Sequence, residues 1–409
     1  MTLPASASRS APLSPAQLAI WMHEQVTAEP ALYIEHVCYD LLGPLDRARL
    51  ETAVRAVLDA HPAFGAQIVA DAAGPRVVPG RFAVEVTWRQ VPEPHLADVL
   101  AIESLTGVGG GRPLCRCLLV EARPDHHVLL LAWHHLVTDG VGIRVFLRDL
   151  AAAWSGLPLR PGADMCAAND SVLAHAGGAD VRERAERIAE RLADLDPQPL
   201  PHRPGLPDSS RCVPVDGGSM PGLAAAAVAC RVTVPMLLNA AYQRAVGDVL
   251  DLHEFLLGCV TAGRTTAEAA EAVGCFVNTV LQRASSDPTD LLRRSARELA
   301  RALGDQDVPA GAVAARLVRG LRPRPTSFPQ LYLSVNEALV FTLDGLDCRR
   351  RWIRHAQAKF DVALVLEYTA DSVAGTLHHR PAALAPEPAG RLVTAFLTRL
   401  HDLMAASPI

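Results

Sequence analysis

The chain has 409 residues, half of them apolar but only 5% aromatic, with a formal net charge of −5. That length exceeds one ordinary core and sets an expectation of two domains of ~150–200 residues each, built mainly on Ala, Val and Leu. The mild charge, with no Lys/Arg block, argues against a nucleic-acid or anionic-membrane partner, and no apolar run approaches the ~18 residues of a membrane span. The opening residues lack the basic start and apolar stretch of a secretory leader. Nine cysteines at irregular spacing read as buried free thiols in a reducing, cytoplasmic setting. Cys115-Arg116-Cys117 lacks the second pair that a zinc site needs.

In chain order, Ser14 and Pro15 open a helix as N-cap and first helical residue, with Leu18, Trp21, Met22 and Gln25 on one side. Tyr33–Leu42 alternates as a strand. Leu45–Leu58 is an amphipathic helix, stopped by His61-Pro62. Phe64–Val69, Arg76–Val78 and Phe82–Trp88 are predicted strands, and His95–Leu105 a helix. Gly107–Arg112 reads as a loop. Leu114–Glu121 and Val128–Trp133 are predicted strands, and a helix follows Gly140. Pro158–Asp164 marks the end of a first lobe. Asp180–Leu195 is a charged helix, and the five prolines of Pro197–Ser210 predict an extended linker. Beyond it come a packed helix within Gly222–Val232, a helix at Val234–Asp251 and a strand at Phe255–Val260. A helix at Pro288–Leu303, a strand at Gln330–Glu337, a hairpin from Val362 to Arg380 and a closing helix at Pro386–Leu403 follow. The mixture is α/β, hairpin-rich in its first half.

Chemistry concentrates where the apolar run Val128–Trp133 ends in His134-His135, followed by Asp139-Gly140. On a strand, successive side chains leave opposite faces, so only one imidazole can enter a given cleft. Imidazole titrates near neutrality and suits a base acting on an attacking amine or alcohol. Asp139 can orient a ring, bridge to an arginine or cap the following helix. Metal binding by His126, His127, His134, His135 and Asp139 is disfavoured, because the ligands would come from both ends and both faces of one strand. There is no nucleophilic-serine elbow, dinucleotide fingerprint or phosphate loop.

WHHLVTDG (Trp133–Gly140) resembles the His-His-x-x-x-Asp-Gly signature of nonribosomal peptide synthetase condensation domains and their acyltransferase relatives. Further motifs follow in the family's order. Ser14-Pro15-Ala16-Gln17 with Trp21 is similar to its opening motif, and Thr261–Arg264 to its Ala-Gly-Arg. Val273–Arg283 resembles its Val-Gly-x-Phe-Val-Asn-Thr, and Gln306–Pro309 echoes its late Gln-Asp-x-Pro.

The resemblance implies two chloramphenicol-acetyltransferase-like lobes in a pseudo-dimeric V with a central tunnel. The expected divisions are a first lobe at 1–165, a helix and Pro-rich linker at 166–210, and a second lobe at 211–409. It implies that His135 is catalytic and faces the tunnel, and that His134, Asp139, Gly140 and Arg264 support it. In particular, Arg264 pairs with Asp139 and Gly140 gives a tight approach. Asn278, Thr279 and Trp133 become candidates for the tunnel or lobe interface. The implied reaction moves an acyl or aminoacyl group from the phosphopantetheine of an acyl or peptidyl carrier protein to an amine. An alcohol acceptor, or a non-catalytic docking module, are the alternatives, and the acceptor can be free or carrier-bound. No metal or bound cofactor is implied. Five positions depart from the family pattern: Val141 replaces an aromatic, Ala60 and Gly65 replace two arginines around His61, and Asp305 and Ala310 replace the histidine and phenylalanine of the late motif. Neither an adenylation nor a carrier segment is recognisable, so the expectation is a free-standing member.

Overall fold

This computed structural model describes residues 9–27, 29, 31–72, 74–109, 113–203, 209–319 and 327–406. It comprises two compact units. The first is Met1–Gly177 with Ala262–Val277 and Leu339–Arg354, and the second is Gly178–Thr261, Asn278–Ala338 and His355–Ile409.

Along the chain, β1 (Ala11–Pro12) precedes α1 (Pro15–Glu24) and β2 (Ile34–Leu42). Then come α2 (Arg47–Ala60), a 3-10 turn at Pro62–Gly65, β3 (Gln67–Asp71), β4 (Gly74–Val78) and β5 (Glu85–Gln90). Next are α3 (Glu93–Glu103), β6 (Cys115–Arg123), β7 (His126–His134), α4 (Gly140–Trp154) and α5 (Met165–Ala176). The second unit starts with α6 (Ala179–Leu192), β8 (Arg211–Ser219), α7 (Leu223–Ala229), α8 (Val234–Leu250) and β9 (Glu254–Thr261). Residues 262–277 then belong to the first unit. The chain continues as β10 (Asn278–Ser285), α9 (Leu291–Gly304), α10 (Ala310–Leu317) and β11 (Leu331–Glu337). After β12 (Asp347–Arg350), again in the first unit, β13 (Val362–Thr369), β14 (Ser372–His379) and α11 (Pro386–Ala405) finish the fold.

The first unit is built on a five-stranded sheet in the order β12-β2-β7-β6-β5. Strand β7 lies at its centre and is buried at every position, because both sheet faces are covered. Leu129 and Leu131 pack on one face with residues of α2 and α4, and Val128 and Leu130 on the other with Leu96 and Leu100 of α3. A separate sheet, β1-β4-β3, completes this unit. The second unit carries a six-stranded mixed sheet, β10-β9-β11-β13-β14-β8. One face packs against α7, α8 and α11, and the other meets α6 and Val313 of α10.

Two expectations change and a third is extended. The unit boundaries are discontinuous: α5 stays with the first unit to residue 177, and two stretches of the second half return to it. Strands β5 and β6 pair in parallel through α3, which adds one β-α-β crossover to the hairpin-rich first half. On α1, Leu18 and Met22 are exposed and the buried residues are Gln17 and Ile20. Residues 204–208 of the Pro-rich linker, and 110–112 of the glycine-rich loop, lie outside the described residues. Six of the nine cysteines are buried, whereas Cys212, Cys230 and Cys348 are only half-buried. Among the described residues no single helix is long and apolar enough to cross a membrane. Helices α7 and α8 pass that test only together, and they are bent by 91°.

Two buried histidines set a pH dependence. Burial holds His127 and His379 below the ordinary histidine value of 6.5. In the unfolded chain both take up protons as pH falls through that value, whereas the folded state resists until lower pH. Folding stability therefore falls as pH drops below the unfolded value. Melting temperatures should decline between about pH 7 and about pH 5, and His127→Gln should reduce the decline; an unchanged slope in that variant would contradict the assignment.

Candidate active site

Strand β7 pairs with β2 up to Ile34↔His134, and the chain then turns. His134 N–H donates to the Leu114 carbonyl at 2.7 Å and His135 N–H to the Tyr33 carbonyl at 2.8 Å, and Val137 N–H closes the turn onto the His134 carbonyl. His135 therefore opens a turn rather than occupying a strand, and the expected strand alternation ends with His134.

The two imidazoles are held differently. His134 is buried; its Nδ1 accepts from Leu136 N–H at 3.2 Å, so Nε2 carries the proton and donates to Glu24 Oε1 at 2.7 Å. Both ring nitrogens are thus spent on structure. His135 is half-buried and its Nδ1 lies 3.0 Å from the Thr138 carbonyl oxygen. A carbonyl can only accept, so the ring proton sits on Nδ1 and the lone pair on Nε2. That is the tautomer required of a proton acceptor at Nε2.

Asp139 and Arg264 form a buried ion pair at 2.6 Å, with side chains 0% and 6% exposed. Asp139 Oδ1 also accepts from Val141 and Gly142 N–H, capping α4, and Oδ2 accepts from Phe276 N–H at 3.0 Å. Arg264 donates to the Ala269, Ala272 and Gly274 carbonyls and lies over the Phe276 ring. One carboxylate thereby fastens the stretch 262–277 against the turn that carries His135. A burial this deep costs several kcal/mol per ion unless each lone pair and N–H finds a partner, and these bonds supply most of them.

Residues that sequence reasoning had read as a helix start also reach the site. Gln17 Nε2 donates to the Leu136 carbonyl at 2.6 Å, and its Oε1 accepts from Ser14 N–H and Asn169 Nδ2. Ser14 Oγ donates to the Cys275 carbonyl at 2.8 Å while accepting from Gln17 N–H. Gln17, Ser14 and Asn169 are fully buried. The available signal was Gln17 itself, a long polar residue on the apolar side of a short helix. Ser14→Ala should cost about 1–2 kcal/mol, through the lost cap and the orphaned carbonyl, read as a lower urea midpoint.

The remaining candidates divide. Among the described residues, a Cβ at Gly140 would meet no atom within 4 Å, whereas one at Gly142 would lie 2.1 Å from Thr138 Oγ1 and 3.6 Å from Val273 Cα. The tight approach expected at Gly140 is therefore at Gly142. Gly140→Ala should be tolerated and Gly142→Ala should cost about 1–3 kcal/mol in denaturant unfolding. Trp133 lies in the first unit's core with Leu129 and Leu131, on the strand face opposite His134. Asn278 is in the second unit, where its amide donates to the Gln306 and Val308 carbonyls and accepts from Thr279 and Ala310 N–H. Thr279 follows it on β10, paired with Val260. His61, in the altered motif, is buried against Asp149 at 2.7 Å. Among the described residues no three His, Cys, Asp or Glu side chains are grouped to hold a metal ion. His126 instead bridges Glu93 and Asp40.

Residues 7–165 match the family model described as Condensation domain. Fumosorinone synthetase of Cordyceps fumosorosea (strain ARSEF 2679) is 29% identical over 384 residues, 88% of this chain but 9% of that protein. The chain therefore spans a small part of this relative. Among solved structures, the first condensation domain of the calcium-dependent antibiotic synthetase, in complex with a substrate analogue, superposes with a TM-score of 0.80 at 18% identity, over 98% of each chain. The X-domain in its complex with OxyB from teicoplanin biosynthesis gives 0.75 at 21% identity, over 99% of this chain and 95% of that one. At these identities the structural likenesses speak for the fold, and the fold is the α/β one of condensation domains from end to end. The matched residues include His134, His135 and Asp139, so the first part of this chain is similar to the condensation domains of nonribosomal peptide synthesis, and its fold is theirs.

Proposed function

We propose that this protein is an acyltransferase. It condenses an acyl or aminoacyl group, held as a thioester on the phosphopantetheine of a carrier protein, with an amine acceptor. The observation that carries the reading is the His135 tautomer: Nδ1–H is committed to the Thr138 carbonyl, which puts the ring's lone pair on Nε2. The amine nitrogen attacks the thioester carbonyl carbon; a C–N bond forms and the C–S bond breaks. The ammonium proton passes to His135 Nε2 and from there to the departing thiolate, giving an amide and a free carrier thiol. A neutral amine needs little help from a base, so holding it in line contributes as much as removing its proton. The thioester already carries the activation, so the step calls for neither nucleotide nor metal.

A second reading, a recruiting module, draws on the X-domain relative described in complex with OxyB. The two are separated by incubating the protein with acyl-loaded carriers and amine or alcohol acceptors, following carrier mass and released product. Discharge dependent on His135 supports the enzyme and its product identifies amide or ester. Tight binding of a partner, with no carrier discharged by any acceptor, supports recruitment.

A further inference from the structure

We propose that Cys275 is a positioning residue that carries the Asp139–Arg264 anchor through to the His135 ring and holds that ring in its Nδ1–H form; this rests on the acyltransferase reading above. The thiol lies 3.7 Å from His135 Nδ1. The backbone around it is fixed on three sides. Gly274 O accepts from Arg264 Nη2 at 3.4 Å, Cys275 O from Ser14 Oγ at 2.8 Å, and Phe276 N–H donates to Asp139 Oδ2 at 3.0 Å. A Cβ at residue 274 would strike the Phe276 ring at 2.5 Å, so glycine there lets the ring fold back under Arg264. Neither Asp139 nor Arg264 has a recorded bond to the His135 ring. Cys275, lodged between their attachment points, brings that fixed backbone into contact with the ring, on the same nitrogen that the Thr138 carbonyl meets from the Asp139 side.

The chemistry fits a weak second acceptor. Sulfur accepts hydrogen bonds poorly but does accept, and it faces the edge of the ring whose proton the Thr138 carbonyl already draws. Two acceptors on that edge disfavour the tautomer with a bare Nδ1. The alternative, a thiol nucleophile activated by the imidazole, fails on the same geometry. Activation needs a lone pair on the nitrogen nearest sulfur, and Nδ1 carries a proton instead. Cys275 is also fully buried, packed with Ile20, Leu32 and Leu136, which closes the approach of a thioester carbon.

The test uses the whole chain labelled with 15N-histidine, the His135 signals being assigned by their loss in His135→Asn. The native protein should show a protonated Nδ1 and bare Nε2. Cys275→Ala, and Cys275→Val as a space-filling companion, should show tautomer mixing and a kcat about tenfold lower at unchanged KM, with melting temperature kept. Cys275→Ser, whose hydroxyl still accepts, should restore both. A native His135 spectrum and native kcat in the alanine and valine variants would overturn the proposal, as would an acyl group found on Cys275 after incubation with donor alone. If no acceptor supports turnover, the acyltransferase reading fails and the tautomer measurement still decides whether Cys275 sets the ring.

Discussion

His135→Ala should lower the rate of carrier discharge by about 10²- to 10⁴-fold, the usual contribution of a positioned acid–base group. Its melting temperature should stay close to native. The ring is only half-buried, and its Nδ1 meets a backbone carbonyl, that of Thr138, and a sulfur at 3.7 Å rather than a buried charge. Removing it opens space beside a turn that Gln17, Val137 and the Tyr33 carbonyl still hold. His134→Ala should behave in the opposite way, because it strands the Glu24 carboxylate and the Leu136 N–H inside the fold and so acts first on stability. Thermal melts and single-turnover discharge of a labelled carrier, run on both variants, separate the two roles. A folded His135→Ala protein discharging carriers at the native rate would move the chemistry elsewhere and leave the recruiting role standing.

The largest stability effect belongs to Asp139. Asp139→Ala should cost about 3–5 kcal/mol, the range for breaking one side of a buried ion pair. The loss has three sources on one carboxylate: Arg264 is left charged in a site where its side chain is 6% exposed, α4 loses its N-cap, and Phe276 N–H loses its acceptor. Against a typical total of about 5–15 kcal/mol, such a loss should be plain in the urea midpoint. Arg264→Met combined with Asp139→Ala should recover part of it, since the pair is then replaced rather than broken. A double variant no more stable than Asp139→Ala alone would contradict the ion-pair account.

What could be read before folding was local. Strand β7 was legible because a central strand covered on both faces must be continuously apolar, and its polar end marks where it leaves the sheet. The N-cap at Ser14 is visible for a local reason too, since Ser14 and Pro15 adjoin; the fold adds Gln17, whose side chain closes a capping box. Pieces whose roles are set by distant partners were misread. The apolar stripe of Leu18 and Met22 follows helical spacing, yet α1 turns Gln17 inward, because the Leu136 carbonyl needs a donor. Gly140 sits in the motif, but Val273 and Thr138 crowd Gly142. β12 has four residues and becomes a strand only because β2 offers it an edge. Cys275 carries no marker in its own neighbourhood beyond the motif around it; only the folded turn brings it to His135.

The return of residues 262–277 to the first unit also orders events during synthesis. When the ribosome has released Gly177, Asp139 still lacks its arginine and Ser14 its carbonyl partner; both arrive only with Arg264 and Cys275. An unpaired carboxylate in that position favours water over a closed core. The nascent first unit thus stays open at its reactive turn while α6, α7 and α8 of the second unit are being translated. Competence at His135 then waits for residues 262–277 and does not follow from the first 177 residues alone.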